Sequence, residues 1–279
     1  MKSNINHQEI HTKKINHDIT LLIISDIHLK IKHQDYNLDK IKKDLGAEFD
    51  KIDYILLPGD IIDKAETLTD KEALIKYREI LKEFFNDKKV FIALGNHDYF
   101  RENDISFFYF RKMFKNMKNI TLLRTGKIIT ENNLSFMGII PNYTYYKENE
   151  QTTTYKKIID DKCQNKFNPN TFNIILSHSP TAIIKLSKQN NKSIIDNTDL
   201  VVSGHMHNGI TPQFLQRYLK GRGIIGPSLK LFTNYCYGTY KIKDTLFIIN
   251  GAVNTYIHNK YINSLFKPQA TLIKIRTIK

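Results

Sequence analysis

Five short apolar, β-branched runs in this chain each end directly in a cluster of Asp, Asn or His. Residues 21–24 lead into Ser25-Asp26-Ile27-His28, and residues 54–57 into Pro58-Gly59-Asp60-Ile61-Ile62-Asp63. Residues 90–94 run into Gly95-Asn96-His97-Asp98, and residues 172–176 into Ser177-His178-Ser179-Pro180. Residues 200–202 run into Ser203-Gly204-His205-Met206-His207. Runs of this length and composition read as strands, several of them apolar on both faces and therefore central. In open α/β sheets, ligands collect at the carboxyl ends of strands, where loops converge over a rigid support. One such block carries little weight. An Asp-x-His after a strand is commonly a turn or a helix cap, Gly-Asp is a common turn dipeptide, and a lone His is more often structural. Five strand ends with the same chemistry constrain one another. His205 and His207, two apart on extended chain, point the same way and can face one ion. Gly59, Gly95 and Gly204 sit where a strand turns sharply and backbone must approach the site.

Further strand-like runs span 134–140, 237–242, 245–250 and 271–278. Amphipathic stretches of helical character span 38–48, 69–86, 104–118, 153–163 and 181–187. Strand and helix alternate in the first half, which builds parallel β-α-β units. The last third holds strands and irregular chain, so a mixed or antiparallel arrangement is expected there. No repeat, low-complexity block or Pro/Gly/Ser-rich linker divides the 279 residues, and one domain over 1–279 is expected. No apolar run approaches the roughly 18–20 residues of a membrane-spanning helix. Residues 1–18 lack the pattern of a signal peptide. The two cysteines, Cys163 and Cys236, exclude a disulfide scaffold and a thiolate zinc cluster, and a cytoplasmic location is expected.

In chain order the five blocks read D-x-H, GDxxD, GNHD, a lone H and G-H-x-H, spanning Asp26 to His207, about two thirds of the chain. That series resembles the calcineurin-like metallophosphoesterase superfamily. The resemblance implies an α/β fold, a four-layer αββα sandwich of two mixed β-sheets flanked by helices, with a two-metal centre above the strand ends. It implies one metal held by Asp26, His28, Asp60 and His207, and a second held by Asp60, Asn96, His178 and His205, with Asp60 bridging. By the same resemblance Asp63 is structural and not a ligand. Imidazole, carboxylate and amide oxygen without thiolate suit Mn²⁺, Fe²⁺/Fe³⁺, Zn²⁺ or Ni²⁺. A shared carboxylate places two cations roughly 3.5–4 Å apart, where they acidify a bridging water whose hydroxide attacks phosphorus in line. His97 would protonate the departing oxygen, and Asp98 would orient His97 or tune its basicity.

Within the superfamily, the GNHD block and the lone His before Gly-His-Met-His look most like a bacterial branch of membrane-associated predicted phosphohydrolases. Lys64-Ala65 after Asp63 departs from the GDxxDRG of the protein phosphatases and the dinucleotide-tetraphosphate hydrolases. Gly95-Asn96-His97-Asp98 departs from the GNRD of the UDP-diacylglucosamine hydrolases. The substrate expected is a membrane-associated phosphodiester or phosphomonoester, with a cyclic-nucleotide or nucleic-acid phosphodiesterase as the alternative. A non-catalytic scaffold on the same fold is the alternative of another class, and the intact set of seven ligand positions counts against it.

The formal net charge of +14 suits nucleic acid, an anionic membrane surface or a phosphorylated substrate. A Lys-, Asn- and Ile-rich composition of the kind an AT-rich genome produces yields the same excess with no partner at all. No basic-aromatic motif supports nucleic acid. Residues 214–232 interleave Phe214, Leu215, Tyr218, Leu219, Ile224, Ile225, Leu229, Leu231 and Phe232 with Arg217, Lys220, Arg222 and Lys230. This mixture suits peripheral association with an anionic membrane, or else a long loop packing its apolar residues onto the sheet. Phe107, Phe110, Phe114 and Met117 recur at helical spacing, as a core stripe or as an aromatic wall to the site. Arg101, three residues past Asp98, is either a phosphate contact or a solvated loop arginine.

Overall fold

The computed structural model describes residues 3–31, 37–100, 103–163, 167–189, 197–227, 230–254 and 265–278. Two six-stranded sheets form its middle. The first runs in the order β1 (Asn4–Thr12), β12 (Gln269–Thr277), β2 (Ile19–Ile23), β3 (Tyr54–Leu57), β4 (Lys89–Ile92) and β5 (Ile120–Leu122). The second runs β10 (Gly238–Ile242), β11 (Thr245–Ile249), β9 (Leu200–Ser203), β8 (Phe172–Ser177), β7 (Leu134–Ile139) and β6 (Ile129–Glu131). Strands β2 to β5 pair in parallel, as the strand–helix alternation requires. β12 enters antiparallel to β2, and β1 lies parallel to β12. In the second sheet β7, β8, β9 and β11 are parallel, with β6 and β10 added as antiparallel edges. Both sheets are mixed.

Side chains of successive residues leave a strand on opposite faces, and the second sheet sorts them into two cores. Leu134, Phe136, Ile174, Leu176, Leu200, Val202 and Ile248 face the first sheet and share its core. Met137, Ile139, Ile175, Val201, Phe247 and Ile249 face the other way, into a separate cluster. Phe91 of β4 stacks on Phe136 of β7 with ring centroids 3.9 Å apart, joining the two sheets. Helices α1 (Asn37–Leu45), α2 (Ala47–Asp50), α3 (Lys71–Phe85) and α4 (Asn103–Met113) contribute to the first core. Helices α5 (Tyr143–Lys147), α6 (Thr152–Lys162) and α7 (Thr181–Ser187) contribute to the second. α3 shows why a helix forms where it does. Asp70 caps it by accepting the amides of Glu72 and Ala73 at 2.7 and 3.2 Å. Leu74, Tyr77, Leu81, Phe84 and Phe85 then supply one buried face.

The central strands and helices α1, α3, α4, α6 and α7 lie where the apolar patterning places them, within a few residues. Four departures have physical causes. β1 arises from chain that reads as a polar lead, because its backbone pairs with β12 along its whole length, from Asn4↔Gln269 to Thr12↔Thr277. An edge strand held by backbone bonds needs little hydrophobic signal, and only Ile5 and Ile10 pack partly against the core. β5 and β6 are three-residue strands, too short for an alternating pattern. α8 (Gln213–Leu219) buries none of its residues fully, although Leu215 and Leu219 are partly covered. Phe214, Tyr218, Leu231 and Phe232 are 62%, 65%, 68% and 62% exposed. The stripe from Phe107 to Met117 is core: Phe110 and Phe114 are buried, and Phe107 and Met117 pack against them. Arg101 and Leu229 lie outside the described residues. No helix among the described residues is long and apolar enough to cross a membrane.

Candidate metal centre

β2, β3, β4, β8 and β9 are neighbours across the two sheets, and their carboxyl ends open towards one another. Backbone bonds then clasp the loops. The amides of Asp26 and His28 donate to the carbonyls of Gly59 and Asp60, each at 3.1 Å, and the amide of Gly204 donates to His178 at 3.0 Å. The His205 amide reaches the Asp26 carboxylate at 3.1 Å, and the His97 amide reaches Asp60 Oδ1 at 2.8 Å. Chain tracing such tight arcs has to leave ordinary backbone space. Asp26, His28, Asp60, His205 and His207 all hold positive φ, at 54°, 48°, 55°, 70° and 44°. Non-glycine residues in this region are costly, and a surrounding structure must hold them there. Gly59, at φ 116°, has no room for a side chain: a Cβ there would lie 2.6 Å from His178 Nδ1.

The side chains converge in two groups that share one carboxylate. Asp26, His28, Asp60 and His207 offer ligand atoms within 4.8 Å of one another, and so do Asp60, His178 and His205. Asp60 Oδ2 lies 3.1 Å from His178 Nε2 and 3.8 Å from His28 Nε2. His207 Nε2 lies 3.4 Å from Asp26 Oδ1 and 3.2 Å from His28 Nε2. On the other side, His205 Nδ1 is 3.2 Å and Asn96 Oδ1 is 3.0 Å from His178 Nε2. All seven residues singled out as ligands are therefore brought together. Asp63 comes close as well, grouped with His28 and His97.

These atoms suit cations. Asp60 Oδ2 is buried without a hydrogen-bond partner, which is costly for a carboxylate unless a cation or proton meets it. His178 donates Nδ1–H to the Pro58 carbonyl at 2.9 Å, which leaves the lone pair of Nε2 facing the cluster. Burial pushes the His28 and His207 imidazoles below the ordinary range, so both favour the neutral form that binds metal. Burial also acts to lower His178, but the adjacent Asp60 carboxylate outweighs it and raises the imidazole to about 9. Burial opposes ionisation of Asp60, and His178 and His28 overcome it, holding the carboxyl well below its usual range. A cation held by this group would take the place of the His178 proton.

The sequence reading expects Asp98 to orient His97 or tune its basicity, and the structure shows Asp98 accepting backbone amides. Asp98 is fully buried, and its carboxylate accepts the amides of Ile61, Ile62 and Gly95 at 2.9, 3.2 and 2.8 Å. It binds the GDxxD loop to the GNHD loop. The group on the His97 ring is the Asp63 carbonyl, 2.7 Å from Nδ1. The His97 imidazole is half-buried. Burial, then the charge of Asp60, raises Asp98 to about 7. Two residues of the site escaped the sequence reading. Glu150 Oε1 lies 2.6 Å from His205 Nε2, and the Tyr146 ring lies 5.6 Å from the His205 ring and 6.2 Å from that of His178. Lys147-Glu148-Asn149-Glu150 reads as a solvated polar loop, and no spacing ties it to His205.

A family model described as calcineurin-like phosphoesterase matches residues 19–209. The phosphoesterase 078R of Invertebrate iridescent virus 3 is 24% identical over 203 residues, covering 70% of this chain and 55% of its own length. The metallophosphoesterase Cj0846 of Campylobacter jejuni is 24% identical over 236 residues, covering 81% of this chain and 55% of its own. The chain thus spans about half the length of the curated relatives it matches. Among solved structures, a dimetal phosphatase from Danio rerio aligns with a TM-score of 0.46 at 10% identity, covering 85% of this chain and 88% of that one.

Proposed function

The chain belongs to the calcineurin-like phosphoesterase family, and from that premise we propose that it hydrolyses a phosphoester with two metal ions held side by side. The observation that carries this reading is the Asp60 carboxylate, shared between two converging groups of His and Asp. Asp26, His28 and His207 would hold one ion, and Asn96, His178 and His205 the other. Bound there, two cations supply an acidified water and neutralise phosphoryl charge. The chain's own residues do the rest. The carbonyl of Asp63 accepts Nδ1–H of His97, and the doubly protonated imidazolium would pass its Nε2 proton to a leaving oxygen, returning to the neutral ring. Asp98 keeps the loops carrying Asp60 and His97 in register through the three amides it accepts.

The test is turnover of paired mono- and diester aryl phosphates by chelated protein, repeated with Mn²⁺, Zn²⁺, Fe²⁺ and Ni²⁺. Activity restored by at least one of these ions is expected. Activity without metal, or none with any of them, would overturn the hydrolase reading and leave the scaffold alternative.

The substrate class we favour is a phosphate ester at an anionic membrane surface. Support comes from the segment that follows His207. Exposed Phe214, Tyr218, Leu231 and Phe232 stand among exposed Arg217, Lys220, Arg222 and Lys230. No acidic residue occurs between Asp199 and Asp244. Aromatic and aliphatic side chains would enter the headgroup region while the cations meet anionic lipid. Co-sedimentation at low salt should recover the protein with phosphatidylglycerol vesicles and not with phosphatidylcholine alone. Equal recovery with both, or recovery with neither, removes the membrane reading and leaves soluble nucleotide esters as the substrates to test.

A further inference from the structure

We propose that Glu150 is a positioning residue that selects Nδ1 of His205 as its metal-facing atom and ties two ligand loops together. This rests on the metal-centre reading given above. The two nitrogens of the His205 ring have opposite surroundings. Nδ1 lies 3.2 Å from His178 Nε2, inside the ligand group, whereas Nε2 lies 2.6 Å from Glu150 Oε1. Glu150 Oε1 has no aligned hydrogen-bond partner, but two lone pairs 2.6 Å apart would repel, so the proton belongs on Nε2 and Nδ1 keeps the lone pair a cation needs. Both side chains are only about a tenth exposed, which leaves little water to compete for the contact.

Two further observations separate Glu150 from a solvated loop acid. Its carboxyl also lies near Ser179 and Thr181, in the stretch that follows His178. One side chain therefore spans the loop carrying His178 and the loop carrying His205. The backbone also takes strain to deliver it. Asn149 and Glu150 are consecutive residues at φ 56°, with the Glu150 amide donating to the Tyr145 carbonyl at 3.0 Å. Glycine would hold that conformation at no steric cost, and the chain places a glutamate there. Tyr146, with its ring against His178 and His205, closes the same wall.

Outer partners of metal-bound histidines commonly change affinity by about 10–100-fold when removed. The experiment is calorimetric titration of Mn²⁺ and Zn²⁺ into chelated wild-type protein and into Glu150→Gln and Glu150→Ala. Wild type should bind two ions. Glu150→Gln, which keeps an acceptor oxygen and loses the charge, should weaken one ion by about tenfold, and Glu150→Ala by about a hundredfold. The ion held by Asp26, His28 and His207 should keep its affinity in both. Unchanged affinity for both ions in Glu150→Gln and Glu150→Ala would overturn the inference. So would equal weakening of both ions, the mark of a merely structural role. A wild-type protein that binds no ion would instead bring down the metal-centre reading itself, so the two failures are distinguishable.

Discussion

His97 and Asp98 are neighbours in the chain with opposite surroundings. Asp98 is sealed under three backbone amides, while the His97 ring, half-buried, is held through one nitrogen by the Asp63 carbonyl. The difference separates a residue that builds the site from one that we propose acts in it. Replacing His97 by Gln should leave both metal affinities intact, since the ring belongs to neither of the two groups sharing Asp60. Turnover of esters with poor leaving groups should fall by about 10²–10⁴-fold, with a much smaller loss on activated aryl esters that need no protonation. Rates measured across leaving groups of rising pKa check this. A uniform loss on all of them would remove His97 from the role of general acid.

At the scale of elements, the site is made by strand ends that turn too tightly for ordinary side chains. Gly95 closes the loop after β4 directly against Asp60, and a Cβ there would overlap the Asp60 carboxylate and its amide. Backbone and a bridging carboxylate cannot both retain their positions beside that methyl group. Gly95→Ala should keep the strands, whose burial lies elsewhere, while both metal affinities drop by about 10–100-fold. Circular dichroism together with metal titration reads the two outcomes separately. Wild-type affinity for both ions would show that the loop yields cheaply and that the close approach has no consequence.

Across the whole molecule, the two ends of the described chain meet in one sheet, β1 beside β12 and β12 beside β2. This pairing supports our proposal that residues 1–279 form one metallophosphoesterase domain. Asp18 fastens the junction: its carboxylate accepts the Thr277 amide at 3.0 Å and pairs with Arg276 at 2.6 Å. The Thr277 amide, then Arg276, lowers the Asp18 carboxyl. A carboxyl depressed on folding adds stability above its unfolded pKa, and that stability is lost as pH falls through the depressed folded value. Asp18→Asn should therefore lower the urea midpoint slightly at pH 7, because the carboxylate is exposed and screened. The gap to wild type should close under acid conditions that protonate Asp18. A gap that persists unchanged in acid would mean that charge is not what Asp18 contributes.

Much of this protein is legible in its sequence, for a local reason. A strand buried on both faces is written in four to six consecutive apolar residues, and each metal-binding loop follows its strand without interruption. Residues 54–57, 172–177 and 200–203 could thus be read together with Asp60, His178, His205 and His207. Other features depend on contacts between segments with no common period. β1 exists because β12 is beside it, and Asp98 acts on amides 36 and 37 residues away. Glu150 meets His205 across a loop that looks solvated in one dimension. The exposure of Phe214, Tyr218, Leu231 and Phe232 is a similar case, since composition cannot say whether an apolar residue finds a partner. Sequence by itself determined the chemistry available and the strands that carry it. Only the tertiary structure decided which groups stand on which nitrogen, because that is set by distances between chain segments and not by their order.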